Sequence, residues 1–199
     1  MKYSPNIHHR RSIRLKGYDY SQTGLYFITI CTQNGFCLFG YIQNGEMFLN
    51  NAGKMIEHQW QELISRFDNI KLHEFVVMPN HFHGIVELVG VPLVGTQTLV
   101  GTRNVLQPPK KGQPQGIAPT VGDVMGAFKS LSTNDYIRNT KQNNWQPFEK
   151  KLWQRNYYEH IIRSDESYYK ISEYVQTNPL KWQNDGYYEQ DQRIRHRLL

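Results

Sequence analysis

Two imidazoles stand two positions apart in Pro79-Asn80-His81-Phe82-His83-Gly84-Ile85, inside a stretch rich in apolar, β-prone residues. On a strand, side chains at i and i+2 leave from the same face, about 7 Å apart along it, so His81 and His83 could hold one divalent metal between them. Near the C-terminus, Glu173-Tyr174-Val175-Gln176-Thr177-Asn178-Pro179 offers a phenol and a carboxamide one helical turn apart. If that helix faces the strand, the histidines supply two nitrogen ligands and Asn178 an oxygen, leaving further positions for water and phosphate oxygens. Such a metal polarises a phosphodiester. Tyrosine, with an ordinary pKa of about 10, is a poor nucleophile at neutral pH, and charge neutralisation with in-line alignment is the help it needs. Attack by its oxygen forms a phosphotyrosine and frees a sugar hydroxyl. The residues alone leave alternatives open. A His-x-His pair also occurs as hydrogen-bonded or exposed histidines, and twelve other tyrosines, Tyr157, Tyr158, Tyr168 and Tyr169 among them, compete with Tyr174.

The elements that must position these groups are readable from periodicity. Gly24 to Thr32, rich in β-branched and aromatic residues, reads as a buried strand, and Asn44-Gly45 between Tyr41-Ile42 and Met47-Phe48-Leu49 reads as a hairpin turn. Met55, Ile56, Trp60, Leu63 and Ile64 recur at helical spacing from Asn51 to about Phe67, with Asn50 or Asn51 as N-cap. Strands follow over Ile70 to Met78 and His81 to Leu88, joined by a tight turn or bulge at Pro79-Asn80. Val124, Ala127, Phe128, Leu131 and Ile137 predict a second helix from Val121 to about Asn139, with Lys129 and Ser130 on its more polar side. Aromatic-rich extended chain from Trp153 ends in a strand at His160-Ile161-Ile162-Arg163. The last helix starts after Ser164 as N-cap, with Asp165 and Glu166 complementing its dipole, and stops by Asn178 because Pro179 disfavours α geometry before it. The order β-(β-β)-α-β-β-α-β-α predicts an antiparallel α+β sandwich with the helices on one face of the sheet.

With 199 residues the chain has room for one domain, 1–199, and not for two. Aromatic residues make up 13%, the net charge is +6 and the pI about 9.2, which favours a polyanionic partner, single-stranded nucleic acid above all. Lys2, Arg10, Arg11, Arg14 and Lys16 precede the first acidic residue, Asp19, so the arm 1–18 is a basic segment able to track phosphates, or a solvated tail. Residues 89–122 hold no Asp or Glu, carry five of the nine prolines and repeat Leu93-Val94-Gly95-Thr96 as Leu99-Val100-Gly101-Thr102, which predicts a flexible insertion. No run approaches the roughly 18 apolar residues of a membrane span, and the N-terminus lacks the apolar core of a signal peptide, so a cytoplasmic protein without a membrane partner is expected. Cys31 and Cys37 match no zinc spacing and are read as reduced and structural.

Phe75-Val76-Val77-Met78-Pro79-Asn80-His81-Phe82-His83-Gly84-Ile85-Val86 resembles the His-hydrophobic-His motif of the single-tyrosine HUH transposases, in particular the REP-associated tyrosine transposases related to IS200-type elements. Four further blocks resemble the same family in the same order: Arg14 to Tyr20, Tyr26 to Thr32, Leu152 to Arg163 and Tyr174 to Trp182. The resemblance implies an HUH endonuclease (ferredoxin-like) fold, and a metal-dependent nuclease and strand transferase acting on single-stranded hairpin DNA. It makes His81, His83 and Asn178 ligands of Mg²⁺ or Mn²⁺, and Tyr174 the nucleophile that forms a 5′-phosphotyrosine. It suits Arg10, Arg11, Arg14 and Lys16 to DNA contact, favours a monomer over a homodimer, and places the protein in a bacterial cytoplasm near the nucleoid. The rival of another class is a catalytically silent hairpin-binding protein. The insertion 89–122 departs from the family pattern.

Overall fold

The computed structural model describes residues 22–90 and 119–188. Arg10, Arg11, Arg14 and Lys16, and the expected insertion apart from its two ends, lie outside the described residues. Among the described residues, six strands and three α-helices follow the order β1 (Gly24–Cys31), β2 (Gly40–Gln43), β3 (Glu46–Leu49), α1 (Asn51–Gln61), β4 (Ile70–Val77), β5 (His81–Leu88), α2 (Val121–Gln142), β6 (Tyr158–Ile162) and α3 (Asp165–Thr177). This is the element order the sequence predicts. A four-stranded antiparallel sheet runs β4-β5-β1-β6, and β2-β3 forms a separate hairpin. Its turn is Asn44-Gly45, with φ of 53° and 78°, the left-handed pair that a tight two-residue turn requires.

Alternation along β1 and β5 sends the two halves of the sheet into different cores. Tyr26, Ile28 and Ile30 with Phe82 and Val86 meet Trp60 of α1 and Phe128 of α2, while Phe27 and Ile85 join Ile162 and Val175 under α3. The helices therefore cover both faces, α1 and α2 one and α3 the other, which corrects the one-faced arrangement expected from the sequence. The reason is that β5 is apolar in both registers, as a strand buried on two sides must be. Gly84 makes the larger core possible: a Cβ there would lie 2.8 Å from Trp60 Cζ2 and from Phe82 Cε1, so only a hydrogen lets the indole reach the sheet.

The helices begin where capping chemistry dictates. Asn50 accepts from Gly53 N–H, Thr120 and Asp123 form a reciprocal box, and Ser164 accepts from Ser167 N–H. Two core assignments change. Ile64 is 57% exposed because the chain tightens into a 3₁₀ turn at Glu62–Ser65, which rotates it off the apolar stripe. On α2, Tyr136 and not Ile137 is buried, continuing the stripe of Val121, Val124, Met125, Phe128 and Ser132. The helix also runs to Gln142, and Lys129 is no idle polar residue: its Nζ donates to the carbonyls of Gln154 and Arg155 and ties α2 to the chain leading into β6. After α3 a 3₁₀ helix, Pro179–Asn184, folds back toward the sheet. Cys31 and Cys37 are not joined in a disulfide.

Candidate active site

β5 presents His81 and His83 on the face under α3, opposite Cys31 and Thr29 of β1, with ring centroids 4.6 Å apart. Both are essentially fully buried. Their register is locked, since a one-residue slip would put the imidazoles into the Trp60 core and Phe82 under α3. Each ring has its Nδ1 engaged. Thr29 Oγ1 lies 2.8 Å from His83 Nδ1, and Asn80 Oδ1 lies 2.9 Å from His81 Nδ1. The Asn80 amide nitrogen donates to the carbonyls of Gly35 and Tyr187, so its oxygen must face His81, and His81 must carry its proton on Nδ1. The lone pair is thereby left on Nε2, the arrangement that second-sphere partners impose on metal-binding histidines.

α3 lies across these rings because Ile171 and Val175 pack on Phe27, Ile85 and Ile162, and because a polar cluster pins its first half. β4 is bulged between Leu72 and Phe75, both of which face the larger core, so the extra residue allows His73 and Glu74 alike to reach α3. Tyr168 and Ser172 hydroxyls donate to Glu74 at 2.9 and 3.1 Å, and His73 bridges Tyr168 and Glu87. Burial works against the Glu74 carboxylate, but its own backbone N–H, Tyr168 and Ser172 outweigh it and hold the pKa below the usual range. Held this way, α3 brings Tyr174 Oη to 3.3 Å from His83 Nε2, with the Tyr174 ring edge-on to Phe27. Of the four competitors named above, Tyr168 is committed to Glu74, Tyr157 packs on the larger core, and Tyr158 and Tyr169 sit on the surface at 49% and 70% exposure.

The 3₁₀ turn after α3 adds groups that the sequence reading missed. Asp185 Oδ2 comes 4.0 Å from His81 Nε2, and the ligand atoms of His81, His83 and Asp185 all lie within 4.8 Å of one another. The Tyr187 ring covers His81 at 4.5 Å, and its hydroxyl engages Cys31. Asn178 reaches His81, Tyr174 and Asp185. Two atoms here are buried without a hydrogen-bond partner, His81 Nε2 and Asn178 Oδ1. Orphaned lone pairs are costly in a protein interior, and two of them beside a histidine and a carboxylate form a donor set that fits a divalent cation. His81, His83, Asp185 and Asn178 would hold it.

Electrostatics agree with that fit. Burial, and for His81 the neighbouring His83, pushes both imidazoles down, His83 to about 3, so both are neutral at physiological pH, the state that metal binding would require. Burial also raises the Asp185 carboxyl. Tyr174 is raised first by burial and then by the Asp185 charge, so it is a phenol at neutral pH. Tyr187 is raised by burial and by Cys31.

Of the residues expected from the sequence, the structure brings together His81, His83, Tyr174 and Asn178. Asp185 had no spacing signal, since it is delivered by a turn beyond the proline that ends α3. Thr29 needs the β1–β5 register to be recognised as the partner of His83. Asn80 stands inside the histidine motif, where its place in the Pro79-Asn80 turn hides its contact with His81.

No family model matches the chain. The chain is 43% identical over 187 residues to an uncharacterized protein of Haemophilus influenzae (strain ATCC 51907 / DSM 11121 / KW20 / Rd), covering 94% of this chain and 97% of that one. A solved structure of the REP-associated tyrosine transposase bound to a REP hairpin superposes with a TM-score of 0.51 at 18% identity, covering 84% of this chain and 73% of that chain. A structure described as a putative transposase from Deinococcus radiodurans gives 0.42 at 15% identity, over 82% and 95% of the two chains. The fold expected from the sequence is thus found, an HUH endonuclease fold with helices on an antiparallel sheet. The chain belongs to the same protein family as its Haemophilus influenzae relative and carries the fold of the tyrosine transposase.

Proposed function

We propose that the protein is a metal-dependent single-stranded DNA endonuclease and strand transferase of the REP-associated tyrosine transposase kind, acting on hairpin DNA through Tyr174. The observation that carries the reading is the position of Tyr174 Oη, 3.3 Å from His83 Nε2, beside the two orphaned donor atoms of His81 and Asn178. The transposase of like fold is bound to a REP hairpin, which supports hairpin DNA as the substrate class.

In this mechanism Tyr174 Oη attacks phosphorus, the bond to the 3′ oxygen breaks, and the products are a 5′-phosphotyrosine and a free 3′ hydroxyl. The chemistry that Mg²⁺ or Mn²⁺ supplies when bound is charge neutralisation, at the scissile phosphate and at Asp185. The phenolic proton leaves toward solvent, to which Tyr174 is 38% open, and the departing oxygen takes up a proton. Asn80 keeps the His81 Nε2 lone pair turned inward, Thr29 does the same for His83 when its hydroxyl accepts from Nδ1–H, and Glu74 keeps α3 seated so that the phenol stays in line. Strand transfer is the same reaction reversed, with another 3′ hydroxyl attacking the phosphotyrosine.

Tyr174 meets the histidines of its own chain, which supports a monomer as the working unit. We place the protein at the bacterial nucleoid; among the described residues no helix is long and apolar enough to cross a membrane. Arg10, Arg11, Arg14 and Lys16 are proposed to contact DNA phosphates. The test mixes the protein, Mg²⁺ or Mn²⁺, and single-stranded hairpins from the DNA flanking its gene, and looks for an SDS-stable adduct. An adduct absent from Tyr174→Phe and from His81→Ala/His83→Ala is expected. Tight hairpin binding without any adduct would favour the silent binding protein instead.

A further inference from the structure

The β2-β3 hairpin and the 3₁₀ turn Pro179–Asn184 enclose a groove of about 670 Å³ that the cleavage chemistry does not use. Its lining includes Tyr41, Asn44, Pro79, Leu180, Trp182 and Gln183, with no acidic residue among the described ones. One end is closed by the hairpin turn, where Gly45 is so near Leu180 that a Cβ would meet Leu180 Cδ2 at 2.7 Å. The other end leads to the metal-ligand set. Pro79 directly precedes Asn80, Pro179 follows Asn178, and the Trp182 ring stands 5.9 Å from that of His81.

Two features of this groove are unusual for a plain surface crevice. Tyr41 is 58% exposed yet rigid, since its ring stacks on the cross-strand Phe48 at 5.4 Å and 13°, and that pairing fixes the platform on the hairpin. Leu180, 69% exposed, adds apolar surface on the opposite wall. An exposed flat aromatic held in place, flanked by the side-chain amides of Asn44 and Gln183, matches the needs of a heteroaromatic ring: a face to stack on and an edge to hydrogen-bond. The lack of acidic lining and the neighbouring, exposed Lys181 suit a ligand carrying phosphate.

We propose that this groove seats an unpaired nucleobase of the DNA strand, stacked on Tyr41, next to the phosphate held at His81 and His83. The inference rests on the DNA-processing reading above and adds to it a second contact that grips a base in place of a phosphate. It makes the hairpin β2-β3 a strand-gripping device and gives the turn after α3 two roles, delivery of Asp185 on one side and of the groove wall on the other. Because stacking accepts any base, the amide edges of Asn44 and Gln183 are where a preference among bases would arise.

The test uses a pool of single-stranded DNA of random sequence containing 5-iododeoxyuridine, with wild type, Tyr41→Ala, Tyr41→Phe and His81→Ala/His83→Ala, each checked for folding by circular dichroism. Binding weaker by about 5- to 150-fold in Tyr41→Ala and restored in Tyr41→Phe is expected, with the same fold-loss when Tyr41→Ala is added to His81→Ala/His83→Ala. Photocrosslinks should map to Tyr41 or Trp182. Tyr41→Ala binding as tightly as wild type, or crosslinks confined to other segments, would overturn the proposal. Concentration-dependent dimerisation in light scattering that Tyr41→Ala abolishes would overturn it too, by giving the groove to a second copy of the chain. If the groove binds as described but no covalent adduct forms with any DNA, the nuclease reading fails and the base site stands; if no DNA binds at all, both fail.

Discussion

Thr29→Val removes one hydroxyl from the site at nearly constant volume and in a strand that favours valine. Thr29 is buried, and its Oγ1 is the partner of His83 Nδ1 at 2.8 Å. Without it the imidazole has two poor choices. Keeping the proton on Nδ1 leaves a buried donor unsatisfied, at a cost of about 1–3 kcal/mol. Moving the proton to Nε2 satisfies Tyr174 but takes away the lone pair that a metal needs. Either way the metal-free protein loses stability and the site loses affinity. For a chain of this size, about 1–3 kcal/mol corresponds to a fall in melting temperature of roughly 2–12 °C. Loss of an outer partner of a metal-binding histidine costs about 10- to 100-fold in affinity. The assay pairs Mn²⁺ titration calorimetry at pH 7.5 with melts in EDTA, and Thr29→Ser is the control, since it restores the oxygen. Wild-type Mn²⁺ affinity in a folded Thr29→Val protein, or no recovery in Thr29→Ser, would refute the argument that the β1 hydroxyl orients His83.

Gly84→Ala should destabilise by about 1–3 kcal/mol through overpacking against Trp60 and Phe82, seen as a lower urea midpoint at unchanged slope. Glu74→Ala strips the shared acceptor from Tyr168 and Ser172, and we expect adduct formation to slow more than Mn²⁺ binding weakens, because the change loosens the nucleophile's helix and not the ligands; stopped assays and calorimetry separate the two. His83 has its folded pKa lowered to about 3 against an unfolded value of about 6.5, and His81 is lowered in the same direction. The unfolded chain therefore binds more protons below that value, and stability present above about pH 6.5 is lost as pH falls toward 3, by about 1.4 kcal/mol per pH unit for each histidine. Metal-free melts between pH 7.5 and 5 should show this slope, and His81→Gln/His83→Gln should remove it.

Much of the molecule was legible because its signals are local. Asn44-Gly45 named its turn, Ser164 its cap and Pro179 the end of α3, and the alternation around His81 and His83 required a strand. The one-faced arrangement fails because β5 is apolar in both registers: Phe82, Gly84 and Val86 need one core, and Ile85 another. Ile64 and Ile137 looked like core residues until a 3₁₀ turn and the true phase of α2 turned them outward. The site was half readable. His81, His83, Tyr174 and Asn178 advertise themselves by type and spacing, whereas Thr29, Asp185 and the pair His73 and Glu74 act through strand register, a turn and a bulge, which leave no pattern along the chain.

The most direct test of the central claim is to digest the covalent adduct formed with hairpin DNA in Mn²⁺ and sequence the DNA-linked peptide by mass spectrometry. The account predicts a phosphodiester-linked nucleotide on Tyr174 alone, and no adduct when Tyr174→Phe is mixed with His81→Ala/His83→Ala, because nucleophile and ligands must belong to one chain. Nucleotide on Tyr187 or another tyrosine would contradict the assignment of the nucleophile, and an adduct restored by mixing the two variants would contradict the single-chain site.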